Sequence, residues 1–249
     1  MKISTPFGTI DTNQIFDLSV EIGNPERFVK AWYVDDPVIS PVTGDGFIGA
    51  VEQGSPVNFR NVFFNPHGHG THTETFGHIS KDIFSINKVD MPLFQRALLL
   101  SVTPIERKTS DSTDVVIDVG QFEPLIASQG LFEAVIIRTN WKGNRLNMDY
   151  SNQNPPFLER NIASLLKDRG VKHLLIDLPS VDKEKDDGAL AFHHAFWNFP
   201  NQPDERRTIT EFIHVPTFIP DGEYLLSLQV SPFENDAAPS RPLILPIIS

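Results

Sequence analysis

Short apolar runs of buried-strand character recur along this chain and alternate with stretches carrying helical signals, and that alternation limits the fold more than any other feature of the sequence. Residues 96–102, 115–117, 134–137 and 171–177 read as strands, as do 224–230 and 243–247. Between them, residues 121–128 read as a short helix. A second helix is predicted after Asn154, a capping residue. Pro155 and Pro156 would fill a first turn where a missing N–H costs nothing, and Leu158, Ile162, Leu165 and Leu166 recur at helical spacing before the stop at Gly170. Strands interleaved with a few helices predict an α/β fold with a mixed rather than purely parallel sheet. Length alone would allow two small domains, but no repeat or low-complexity linker divides the chain, so one domain over residues 1–249 is expected. Residues 29–64 are long, polar and punctuated by Pro and Gly, the pattern of a functional loop or hairpin region.

Composition removes several classes of function. A formal net charge of −11 argues against nucleic-acid and anionic-membrane partners, both of which are bound through excess Lys and Arg. There is no cysteine, so any metal must be held by His and Asp/Glu. The N-terminus lacks the apolar core of a signal peptide, and no apolar run approaches the ~20 residues needed to span a bilayer. A soluble cytoplasmic protein is the expectation.

Four of the eight histidines fall within residues 67–78, HGHGTHTETFGH. Imidazole and carboxylate are the usual nitrogen and oxygen ligands of zinc and manganese. Glycines at 68, 70 and 77 allow the tight turns that aim several side chains at one point. His72 and Glu74, two apart, would share one side of an extended segment, and His78 stays on that side only if the chain remains extended. The cluster is not a complete coordination sphere, so further ligands are expected downstream. The adjacent His193 and His194 are candidates. So is Glu211, because residues 208–215 alternate like a strand that would set Glu211 and Ile213 on one face. A carboxylate on an apolar strand face costs several kcal/mol unless it is paired or coordinated. His173, on an apolar strand, reads instead as a packed core histidine.

The run G-T-H-x-E-x-x-x-H over residues 70–78 resembles the hallmark H-x-G-T-H-x-D-x-P-x-H of the cyclase family, which includes bacterial kynurenine formamidases and isatin hydrolases. FDLS at 16–19, VIIRT at 135–139 leading to Trp141, and DLPSVD at 177–182 followed by the His193–His194 pair extend the resemblance over nearly the whole chain. It implies a mixed β-sheet or barrel with flanking helices, described as a swivelling β/β/α domain, and a homodimer or higher homo-oligomer. It implies one or two divalent ions per subunit, Zn2+ or Mn2+, with His72, Glu74, His193 and Glu211 as ligands and His78 as general acid/base. The family's first ligand would fall on Gly68, so His67, or alternatively His69, takes its place. Glu74 stands where the family has Asp, and Phe76 where it usually has Pro. The implied activity is hydrolysis of a small-molecule amide, an arylformamide or lactam C–N bond, by metal-activated water. Thr71 or backbone N–H groups would hold the oxyanion, and Trp32, Tyr33 and Phe63 would wall an aryl substrate.

Two other classes compete. His67-x-His69 with Glu74, and His194-x-x-x-Asn198, imitate parts of the cupin motifs, although the flanking glycine positions and the spacing fail. A metal-binding protein on the cyclase fold with catalysis lost is the other, against which the retained His78 weighs.

Overall fold

The computed structural model describes residues 1–110, 113–143 and 145–248. Ten strands form one sheet: β1 (Lys2–Thr5), β2 (Gly8–Asp11), β3 (Phe16–Asp17), β4 (His72–Glu74), β5 (Gln95–Val102), β6 (Ala134–Thr139), β7 (His173–Ile176), β8 (Thr208–Glu211), β9 (Gly222–Val230) and β10 (Ala237–Ile248). The path β10–β9–β5–β6–β7–β8–β4 returns to β10 through Ala237↔Glu74 and Pro239↔His72, so these seven strands close into a barrel. The pairs β5–β6, β6–β7 and β7–β8 are parallel and the remaining barrel pairs antiparallel, which is the mixed sheet expected. Three parallel pairings are foreign to the antiparallel jelly roll of a cupin, and that alternative is set aside.

The near-continuous apolar sequences of β5, β6 and β7 reflect burial on both faces. Period-2 alternation sorts their side chains. Leu98, Leu100, Val135, Ile137, Leu174 and Ile176 pack outward under three helices, while Ala97, Leu99, Ala134, Ile136 and Leu175 point into the barrel with Leu226, Leu228 and Ile244. The helices are α1 (Val119–Ala127), α2 (Ile162–Asp168) and α3 (Ala191–Trp197). α1 begins in a capping box, with the Asp118 side chain accepting from the Gln121 N–H. The fully buried Phe122, Ile162, Leu166, Phe192, Phe196 and Trp197 cover the outer face.

Two expectations need correction. The helix predicted after Asn154 starts only at Ile162: Phe157–Leu158 is a short strand paired with Thr113–Ile117, and Asn154 has a left-handed backbone (φ 50°) that a cap does not use. That small sheet holds the strand expected at 115–117, apart from the barrel. The alternation read over 208–215 stops at Glu211, because Phe212 is left-handed (φ 55°) and turns the chain, sending Ile213 into the barrel interior. Residues 29–64 do contain a hairpin, Val38–Pro41 paired with Arg60–Phe63.

Candidate metal centre

Strand register builds the first half of the centre. In the antiparallel pair β4–β8, Glu211 stands directly opposite His72, so their side chains share a face, and Glu74 joins them two residues on. Ile209, on that same face of β8, packs in the cluster beneath the helices, so the three polar side chains stand on the outer face of the barrel. Thr73 and Thr210 point the other way and meet at 2.8 Å between hydroxyls. The left-handed Gly70 (φ 64°) starts this strand: a Cβ there would meet the Val20 carbonyl oxygen at 2.9 Å.

α3 supplies the second half. Both carboxylate oxygens of Asp182 accept from its first turn, from the Phe192 N–H at 2.8 Å and the His193 N–H at 3.0 Å. The same carboxylate accepts from His193 Nδ1 at 2.6 Å, which fixes the ring with Nε2 3.1 Å from Glu74 Oε1. His194, one residue round the helix, turns away and meets the Phe199 carbonyl at 3.2 Å, so the structure brings His193 and not His194 to the centre.

His67 enters from the loop before β4. Its Nε2 donates to Asp236 Oδ2 at 2.8 Å, and its Nδ1 lies 3.0 Å from Glu74 Oε2. His69, the alternative, is spent elsewhere: Nδ1 accepts from the Asn65 N–H and Nε2 donates to the Asp35 carbonyl. His78 completes the group, with Nδ1 4.0 Å from Glu74 Oε2 and 3.7 Å from Asp236 Oδ2. Asp236 was missed by sequence reasoning. It reaches the site only because β10 closes on β4, where the Asp236 carbonyl accepts from the Thr75 N–H. Gly77 permits this approach, since a Cβ there would lie 2.9 Å from the Asp236 Cβ.

The lone pairs show what the centre can hold. A carbonyl can only accept, so His72 Nδ1 donates to Gly70 O at 3.2 Å and its Nε2 carries a lone pair, 3.5 Å from Glu211 Oε2. Glu211 Oε1 is already engaged by the Val181 N–H. His67, with its proton given to Asp236, likewise turns a lone pair on Glu74. Among the described residues, His72 Nε2 and Glu74 Oε2 are buried with no hydrogen-bond partner. With the rings neutral, lone pairs would face carboxylate oxygens at 3.0–3.5 Å. Two donors on one tetrahedral zinc sit about 3.3 Å apart, so the residues present fit a shared cation. The donors fall into two sets, His72–Glu74–Glu211 and His67–Glu74–His78, with Glu74 common to both.

Without a cation, protons take that role. Burial alone would lower His67 and His193, but Asp236 and Glu74 around the first, and Asp182 and Glu74 around the second, outweigh it and push each up to about 10. Burial would raise Glu74, yet His78, His193 and His67 hold it well below the usual carboxylate range. Glu211 is pushed up by burial and by the Glu74 charge. Such a site is short of positive charge.

Other sequence expectations sort clearly. The Thr71 hydroxyl donates to the Phe212 carbonyl at 2.6 Å and accepts from the Val20 N–H, so it is not free to hold an oxyanion. Phe63 projects from the hairpin, 76% exposed, and is no wall of the site. Trp32 does line the adjoining cavity of about 410 Å3, with His67, His78, His193, Glu211 and Leu190. Phe76 stacks on Phe84 with ring centroids 4.6 Å apart. His173 is a core histidine, paired with Thr208 Oγ1 at 2.9 Å.

A closed mixed barrel with helices on its outer face and a histidine–carboxylate centre beneath one of them defines the architecture. Residues 16–183 match the family model described as "Putative cyclase", and the chain belongs to that family. It is 28% identical over 197 residues to the kynurenine formamidase of Bacillus cytotoxicus, covering 79% of this chain and 84% of that protein. With the kynurenine formamidase of Bacillus mycoides it shares 24% identity over 241 residues, covering 95% and 99%. Among solved structures, isatin hydrolase A from Labrenzia aggregata superposes with a TM-score of 0.66 at 12% identity, over 94% of each chain.

Proposed function

We propose that this protein is a metal-dependent hydrolase cleaving the C–N bond of a small arylformamide or lactam. The observation that carries the reading is the set of imidazole nitrogens aimed at the oxygens of Glu74 and Glu211 at 3.0–3.5 Å, contacts that need a proton or a cation between them. Imidazole and carboxylate donors without thiolate suit Zn2+ or Mn2+. His72, Glu74, His193 and Glu211 would hold one ion, and His67 with Glu74 a second. When bound, such an ion lowers the pKa of a water molecule and polarises a carbonyl.

The remaining work belongs to the chain. His78 is one-third exposed at the cavity wall, with Asp236 beside its Nδ1, and is placed to take a proton from water and return it to the leaving nitrogen. Asp182 and Asp236 fix the rings of His193 and His67. The cavity volume suits a single- or fused-ring substrate, with Trp32 and Leu190 as its apolar lining. A homodimer belongs to the same reading.

The test is removal and return of metal. Chelator-stripped protein should hydrolyse neither N-formylkynurenine nor isatin, and zinc or manganese should restore one of the two activities. Undiminished turnover in a sample shown by elemental analysis to be metal-free would sink the proposal. His78→Ala should lower kcat by about 10²–10⁴ with metal content unchanged. Loss of metal in that variant would instead make His78 a ligand, and metal binding without turnover in the wild type would favour a non-catalytic protein.

A further inference from the structure

Four non-glycine residues with left-handed backbones, Trp32 (φ 65°), Tyr33 (φ 58°), Asn152 (φ 60°) and Asn154 (φ 50°), gather around one carboxylate, Glu184. Asparagine tolerates that conformation, but two consecutive aromatic residues do not adopt it without compensation. The compensation is visible. Glu184 Oε1 accepts from the Tyr33 hydroxyl at 2.8 Å and from the Asn152 N–H at 2.5 Å, and Oε2 accepts from the Asn154 N–H at 3.2 Å. The Tyr33 N–H donates to Ser151 Oγ at 3.0 Å, and its hydroxyl also lies 3.3 Å from Asn152 Oδ1. The Tyr33 ring itself is exposed. Its hydroxyl, not its burial, anchors the segment. Trp32, the residue before it, packs against Val20, Val29, Ala31, Tyr150 and Phe212 and forms part of the wall facing His67, His78 and His193.

We propose that Glu184 is a positioning residue which, through the Tyr33 hydroxyl, holds the strained Trp32–Tyr33 pair so that Trp32 forms a fixed aromatic wall of the cavity and selects aryl over alkyl amides. The inference rests on the hydrolase reading for its substrate class, while its geometry stands alone. Releasing the clamp relaxes the strained pair and withdraws the wall, leaving the histidine–carboxylate centre as it is. The consequence is weaker aryl binding with the chemistry intact.

Two readouts test it. In a Trp141→Phe background, acrylamide quenching of tryptophan emission reports on Trp32, because Trp197 is fully buried. Tyr33→Phe and Glu184→Ala should both raise the quenching constant and shift emission to longer wavelength, and Glu184→Gln, which keeps an acceptor for Tyr33, should restore part of the difference. With an aryl formamide, Tyr33→Phe should raise KM about tenfold, the low end expected for a hydrogen bond to a carboxylate, and leave kcat nearly unaltered. KM for an alkyl formamide should stay put. In Trp32→Ala the further change Tyr33→Phe should add nothing. Unchanged quenching in both variants, or equal losses on aryl and alkyl substrates, would overturn the clamp. If the wild type cleaves no amide, the hydrolase reading fails and the quenching series alone decides the positioning role.

Discussion

Three imidazoles of the centre are oriented from behind. Gly70 O holds His72, Asp182 holds His193 and Asp236 holds His67. An acceptor on the far nitrogen fixes which nitrogen keeps its lone pair and raises its basicity. Asp182→Asn and Asp236→Asn should therefore each weaken metal affinity about 10–100-fold in a chelator competition, with the far-UV circular dichroism unchanged. Unaltered affinity would remove that carboxylate from the centre. At this scale the sequence was legible where ligands were dense. His72, Glu74 and His78 stood out by crowding, and Glu211 by being a charge on an apolar strand. The sequence favours His67 over His69 only from the displaced Gly68 position, and the structural reason lies in the Asp35 carbonyl and Asn65 N–H that engage the His69 ring. Asp236 was hidden because its partners lie some 160 residues away along the chain and meet it only through strand pairing.

Neighbouring strands impose a pH dependence of their own. His173 in β7 lies beside Thr208 in β8, and burial, with Lys172 nearby, lowers its pKa to about 4 from 6.5. The unfolded chain binds this proton below 6.5 while the folded chain resists it until about 4. The neutral ring's contribution is therefore complete above the unfolded value and is lost as pH falls through that window. One proton gives a slope of about 1.4 kcal/mol per pH unit. Urea unfolding of wild type and His173→Gln between pH 7 and pH 4 should show the variant losing stability less steeply. A parallel decline would show that His173 is not the group responsible. Elements themselves were readable wherever apolar periodicity ruled, as in β5, β6, β7 and β9. They were misread where a side-chain partner overrides it. Asn154 looks like a helix cap but is drawn into a left-handed turn by Glu184, and Phe212 breaks an alternation that looked like continuous strand.

At the scale of the whole molecule, the hairpin carries its apolar side chains outward, with Phe63 at 76% and Phe59 at 57% exposure, next to Val38, Ile39 and Val62. A two-stranded ribbon is marginal in water, and apolar side chains exposed on both of its faces make it the candidate contact surface. Under the homodimer reading, Phe59→Ser with Phe63→Ser should shift the protein to monomer in size-exclusion chromatography with light scattering, and an unchanged mass would place the contact elsewhere. Barrel closure through β4 and β10 has a consequence in the life of the chain. A polypeptide still emerging from the ribosome carries His67, His72, Glu74 and His78 long before residues 236–239 exist to wall them in. A cation held by the proposed ligands would favour the closed barrel, because Asp236 orients His67 only once the last strand has docked. At free metal a hundred times the dissociation constant, that stabilisation would amount to about 2.7 kcal/mol.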